Sequence, residues 1–90
     1  MRTKTEIKTI LTLHELPKIT GLREVSLRLY LCRPDFNKYK LHTNPIIVNA
    51  SESFWRLFID FLKLKVRRKG VERKHIDNSK LWLEKLVRIQ

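Results

Sequence analysis

Gly21 is the only glycine among the first 69 residues of this chain, and it stands inside an otherwise helix-prone stretch. Glycine reaches positive φ without a Cβ clash, so a sharp reversal between two elements has one natural place to sit. Upstream, Thr12 and Glu15 have the spacing of a capping box, and Leu11 with Leu16 can form the hydrophobic staple around it. That spacing predicts a helix beginning at Thr12, with Leu13, Leu16 and Ile19 on its buried side. Downstream, Leu22, Val25, Leu29 and Tyr30 are spaced as an inward helical stripe, with Leu27 on its flank. Arg23, Glu24, Ser26 and Arg28 then face outward. A strand competes for the same residues, because Leu27, Leu29 and Leu31 alternate; the upstream cap and the glycine favour helix. Pro34 ends the segment by pushing Arg33 out of the α region. Residues 12–31, TLHELPKITGLREVSLRLYL, thus predict two helices meeting across a glycine turn.

The chain changes character over residues 35–50. FNKYKLH and PIIVN are β-prone runs, and His42-Thr43-Asn44-Pro45 between them is turn chemistry, which together predict a hairpin over 36–49. Lys38, Lys40 and His42 would lie on or near its tip. A long helix is expected from about Ser51 to Arg67, capped by Asn49 with Glu52 or by Ser51 alone. Phe54, Leu57, Phe58 and Phe61 form its apolar stripe, and Arg56, Asp60, Lys63 and Arg67 its wet one. A second flank of Trp55, Ile59, Leu62 and Val66 must pack on something else. Lys69-Gly70 is the usual glycine stop. A last helix of about 78–89, within the C-terminal segment 76–90, offers Leu81, Trp82, Leu86 and Ile89 to cover the Trp55 flank.

Ninety residues make one domain, residues 1–90, with a core motif over 10–67. At 42% hydrophobic residues there is enough apolar material for one core, so this is a folded basic domain and not a disordered tail. Lys and Arg number 20 against 9 Asp and Glu, a formal charge of +11 that speaks of partners, not fold. DNA, RNA and an anionic membrane surface all satisfy it. The single cysteine, Cys32, allows no intramolecular disulfide, and the charged N-terminus has no apolar stretch of signal-peptide length. The densest apolar stretch, 54–66, is broken by Arg56, Asp60, Lys63 and Lys65 and cannot span a membrane. A cytoplasmic, nucleoid-associated location is expected. His14, His42, His75 and Cys32 lack metal-ligand spacing, no glycine-rich phosphate loop occurs, and the carboxylates are unpaired in sequence. Neither a cofactor nor an enzymatic activity is therefore expected.

At residue level the chain resembles the MerR-like branch of winged helix-turn-helix domains, which includes the excisionases of phages and transposons. Leu16-Pro17-Lys18-Ile19-Thr20-Gly21-Leu22 is similar to that family's Leu-x-x-x-Thr-Gly-Val/Leu core. Ser26-Leu27-Arg28-Leu29-Tyr30 is similar to its Thr/Ser-Leu-Arg-x-Tyr recognition helix. Tyr39-Lys40 and the Ile46-Ile47-Val48 strand match the wing more loosely, and the resemblance covers roughly residues 10–65. Pro17 departs from the pattern, which has a small residue there. A proline in a helix interior costs about 3 kcal/mol, so the first helix must be kinked or must start later than its cap suggests.

The resemblance implies an α+β fold of helix-turn-helix, β-hairpin wing, long helix and short C-terminal helix. It also implies sequence-specific binding to double-stranded DNA, with a role in directing site-specific recombination by bending DNA beside an attachment site. A site-specific recombinase and self-association on DNA are then the implied partners. The helix 22–33 would enter the major groove, where arginine on the guanine O6/N7 edge is the commonest specific contact. Arg28 is the leading candidate there, followed by Arg23, then Ser26 and Glu24. Lys38, Lys40 and His42 would grip the backbone or minor groove, although a hairpin edge also carries lysines to block edge-to-edge pairing. Lys63, Lys65, Arg67, Arg68, Lys69, Arg73 and Lys74 place seven cations in twelve residues, more than a helix C-terminus needs, and predict phosphate contacts. Two alternatives stand beside this. One is a small repressor of the same fold. The other is a basic RNA-associated or ribosomal accessory protein, whose charge would spread over the whole surface.

Overall fold

A computed structural model describes residues 9–66 and 71–89. Its element order is β1 (Ile10–Thr12), α1 (Leu16–Thr20), α2 (Glu24–Leu31), a 3-10 helix (Pro34–Tyr39), β2 (Lys40–Thr43), β3 (Ile46–Asn49), α3 (Glu52–Lys65) and α4 (Arg73–Ile89). The three strands form one antiparallel sheet in the order β1-β3-β2. Leu11 pairs with Val48 across β1 and β3, and both side chains are buried. The protein is a small α+β fold with a three-stranded antiparallel sheet packed among helices. Among the described residues no helix is long and apolar enough to cross a membrane.

The capping residues upstream of Gly21 do something other than start a helix. Glu15 Oε1 accepts from the Thr12 backbone N–H at 2.9 Å, which is half of a capping box. Thr12, however, belongs to β1 and pairs with Ile47, so the chain turns at residues 13–15 and α1 begins only at Leu16. This corrects the expected start at Thr12 and resolves the difficulty with Pro17. The proline sits in the first turn of α1, where the N–H it lacks has no intrahelical partner to lose. Gly21 then closes α1 in the left-handed region at φ +83°, donating its N–H to Pro17 O at 2.8 Å. Thr20 secures the same turn: its buried hydroxyl donates to Leu16 O at 3.0 Å and accepts from Leu22 N–H at 3.1 Å.

Two further expectations change. The segment 36–39 is not strand. Pro34 opens a 3-10 helix that drives Phe36 into the core, edge-on to Phe54, Phe58 and Phe61 with centroids 5.7–6.0 Å apart. Phe36 is fully buried there, and β2 starts only at Lys40. The last helix begins at Arg73, not near residue 78, because Glu72 and His75 close its first turn. The Glu72 N–H donates to His75 Nδ1 and the His75 N–H donates to Glu72 O, both at 3.0 Å.

The aromatic helix behaves as expected. Phe54, Trp55, Phe58, Ile59, Phe61 and Leu62 of α3 are all buried, with Phe54 stacked on Phe58 at 5.7 Å. No side-chain bond caps α3 at Ser51, and Glu52 instead pairs with Arg56, whose Nε donates at 2.9 Å. α4 packs across both α3 and α1. It offers Ile76, Ser79 and Leu86 to the interior, with Trp82 and Leu83 half-buried, while Leu81 turns outward against expectation. Starting at Arg73 lets α4 add Ile76 to the buried side that Ser79 and Leu86 continue. The glycine stop at Lys69-Gly70 lies outside the described residues.

Candidate nucleic-acid interface

α2 is held by a glycine turn at one end and by a contact with α3 just past the other. Its N-terminus follows the Gly21 turn, with Arg23 in an extended conformation at the cap position. Its C-terminus runs through Cys32 to Arg33, whose guanidinium lies 5.3 Å from the Phe61 ring centroid. The stripe that faces inward is only partly the one expected: Leu22 is buried and Tyr30 half-buried, but Val25 and Leu29 do not belong to it. Leu27 and Leu31 are the buried pair, with Leu22 just before the helix, whereas Val25 and Leu29 are exposed. Tyr30 is half-buried edge-on to Phe61 at 4.9 Å, and burial raises the pKa of its hydroxyl. Both pairs have i, i+4 spacing, so periodicity alone could not choose between them. The Gly21 turn and the Phe61 contact set the rotation of the helix.

Arg28 lies on the outer surface with its side chain 60% exposed. Its guanidinium is 3.6 Å from Glu24 Oε2, one turn earlier, and the other Glu24 oxygen lies 3.1 Å from His14 Nδ1. Glu24 is thus a link between the turn before α1 and Arg28, and its own reach into solvent is limited by both partners. A groove of about 280 Å³ separates this trio from the turn of the β2–β3 hairpin, with Cys32, Thr43, Asn44 and Pro45 among its walls. A second groove, of about 350 Å³, runs past Arg23 and Ser26 to Glu72 and His75 at the start of α4. Ser26 is half-buried and Arg23 exposed.

The hairpin does not carry its cations where the sequence suggested. Lys38 is in the 3-10 helix, its Nζ 5.3 Å from the Tyr39 ring centroid. Lys40 is half-buried and pairs with Val48, at the end of β2 far from the turn. The turn itself, Asn44-Pro45, has a cis peptide bond and no charge. His42 folds onto it, with Nδ1 3.0 Å from Pro45 O and 3.3 Å from the Asn44 N–H, so either neutral tautomer finds a partner. The expected basic tip is therefore an uncharged turn with lysines at its base, because residues 34–39 form the 3-10 helix that buries Phe36 and β2 begins only at Lys40.

The long cationic run also divides. Lys63 is exposed on α3 and lines a groove with Arg73, Asp77 and Lys80 of α4. This groove shares no lining residue with the one that runs past Arg23 and Ser26 to Glu72 and His75, and no residue of α2 lines it. Lys65 is half-buried with Nζ 5.4 Å from the Phe61 centroid. Arg67, Arg68 and Lys69 lie outside the described residues. Sequence reasoning missed His14, Val25, Leu29 and Cys32 on the outer side of α2; the second i, i+4 apolar pair was the one available signal for the two aliphatic residues. Among the described residues no group of three or more His, Cys, Asp or Glu side chains is placed to hold a metal ion. Comparison with protein-family models, with curated proteins and with solved structures finds no match to this chain.

Proposed function

We propose that this chain is a winged-helix DNA-binding domain of the excisionase or MerR-like type, which reads duplex DNA through α2. The observation that carries the proposal is the outward presentation of Arg28 on a helix fixed by the Gly21 turn and bordered by the β2–β3 hairpin across one open groove. In this mechanism α2 enters the major groove and Arg28 meets a base edge, with Glu24 limiting its rotamers. Arg23 and Ser26 take phosphates at the N-terminal end of the helix, where the dipole also favours anions. The uncharged Thr43-Asn44-Pro45 turn enters the neighbouring groove by shape, while Lys38 and Lys40 at its base meet the backbone. Bending DNA beside an attachment site, in company with a site-specific recombinase, is the role that the Thr20-Gly21-Leu22 and Ser26-Leu27-Arg28-Leu29-Tyr30 motifs support.

One observation favours a second function, binding of structured RNA by a distributed positive surface. The Lys63, Arg73 and Lys80 cluster lies away from α2, so the charge is not confined to one face. Gel-shift titration of duplex DNA and structured RNA across salt separates the two. Expected is a preference for duplex DNA, with Arg28→Ala weakening the best duplex by about 1–3 kcal/mol and relaxing its sequence preference. Preference for RNA, or indifference to Arg28→Ala at every DNA sequence, would sink the α2 proposal. A circular-permutation assay then tests the recombination role, since an unbent site argues for a simple repressor instead.

A further inference from the structure

The outermost line of α2 is apolar. Val25 and Leu29 are 67% and 66% exposed. They stand one above the other, and on a helical wheel each lies about 160° from its buried counterpart, Leu27 or Leu31. Arg28 flanks them on the hairpin side and Ser26 on the other. Two large aliphatic side chains at the crest of a solvated helix, beside an arginine, fit an occupant that is apolar at two points and anionic around them.

We propose that Val25 and Leu29 read thymine, packing on C5-methyl groups in the major groove while Arg28 beside them takes a guanine edge or a phosphate. This rests on the DNA-binding function proposed above and adds its base preference. The thymine methyl is the apolar group that base edges present in the major groove, and aliphatic side chains contact it. A second copy of the chain is a poor occupant for two reasons. The chain carries +11, so like surfaces repel. Two side chains on a narrow ridge also cover far less than the roughly 800 Å² per partner that a stable dimer buries.

The test uses the tightest duplex recovered from a randomised 20-base-pair pool, compared with the same duplex made with deoxyuridine in place of thymidine, which removes only the methyl groups. The wild-type protein should bind the thymine duplex about fourfold tighter for each methyl that one side chain buries, and about fifteenfold for two. In Val25→Ser/Leu29→Ser the ratio between the two duplexes should fall to about one, with helicity by circular dichroism unchanged because both sites are exposed. Equal wild-type affinity for the two duplexes overturns this inference and leaves DNA binding standing. Failure to enrich any duplex overturns both. A wild-type dimer that Leu29→Ser converts to monomer in sedimentation velocity also overturns it, since the crest would then belong to a self-contact.

Discussion

Gly21 sits at φ +83°, and a Cβ added there would meet Asn78 Nδ2 at 3.3 Å and His75 Cδ2 at 3.4 Å. The same Asn78 nitrogen donates to Thr20 O at 3.0 Å, so the turn between α1 and α2 is also the place where α4 docks. Gly21→Ala should therefore destabilise the protein by about 1–3 kcal/mol, the sum of left-handed backbone strain and two tight contacts. Urea unfolding measures it. A double-mutant cycle with Asn78→Ala divides the cost, because trimming Asn78 relieves one contact but leaves φ unchanged. Full additivity would mean that the Asn78 approach does not matter. The need for glycine was legible from its rarity and position. The approach of α4, 58 residues away for the Thr20–Asn78 bond, was not.

At the scale of elements, one proline separates two accounts of α1. Were Pro17 in a helix interior it would cost about 3 kcal/mol, and replacing it would stabilise the protein by a similar amount. Because it occupies the first turn of α1, Pro17→Ala should change stability by less than about 1 kcal/mol. Thermal unfolding followed by circular dichroism decides it; a rise near 3 kcal/mol would restore the longer helix. The Thr12/Glu15 hydrogen bond of the expected capping box forms, but the helix start read from it does not, since the strand partner that captures Thr12 lies at Ile47. Similar reasoning covers residues 36–39: their β-prone composition lost to the space that Phe36 fills among Phe54, Phe58 and Phe61. α3 was legible along nearly its whole length because both of its apolar flanks are buried, so no choice of face arose.

For the molecule as a whole, the question is which cations meet a phosphate backbone together. Seven basic residues between 63 and 74 read as one patch along the sequence. In three dimensions Lys63 and Lys80 share a groove that has no lining residue in common with the one beside Arg23 and Ser26. If the duplex lies along α2, Arg23→Gln should lower the slope of log affinity against log salt by about one, the loss of one phosphate contact. Lys63→Gln/Lys80→Gln should leave that slope unchanged. A slope reduced by about two in the lysine pair would mean that the polyanion runs over the α3–α4 side, as the RNA alternative requires.

Residues 12–31, TLHELPKITGLREVSLRLYL, with Pro34 just beyond them, were enough to place a reversal at Gly21, to favour a helix over a strand after it, and to end the run before the proline. These are local facts of φ range and hydrogen bonding, complete within a few residues. Tertiary structure decided that Thr12 is strand, that Leu27 and Leu31 face inward, and that Val25 and Leu29 face out beside Arg28. Each of those outcomes turns on a partner distant in sequence: β3 for Thr12 and α3 for the rotation of α2. Apolar periodicity states that a helix has a buried side, and only the packing around it settles which side that is.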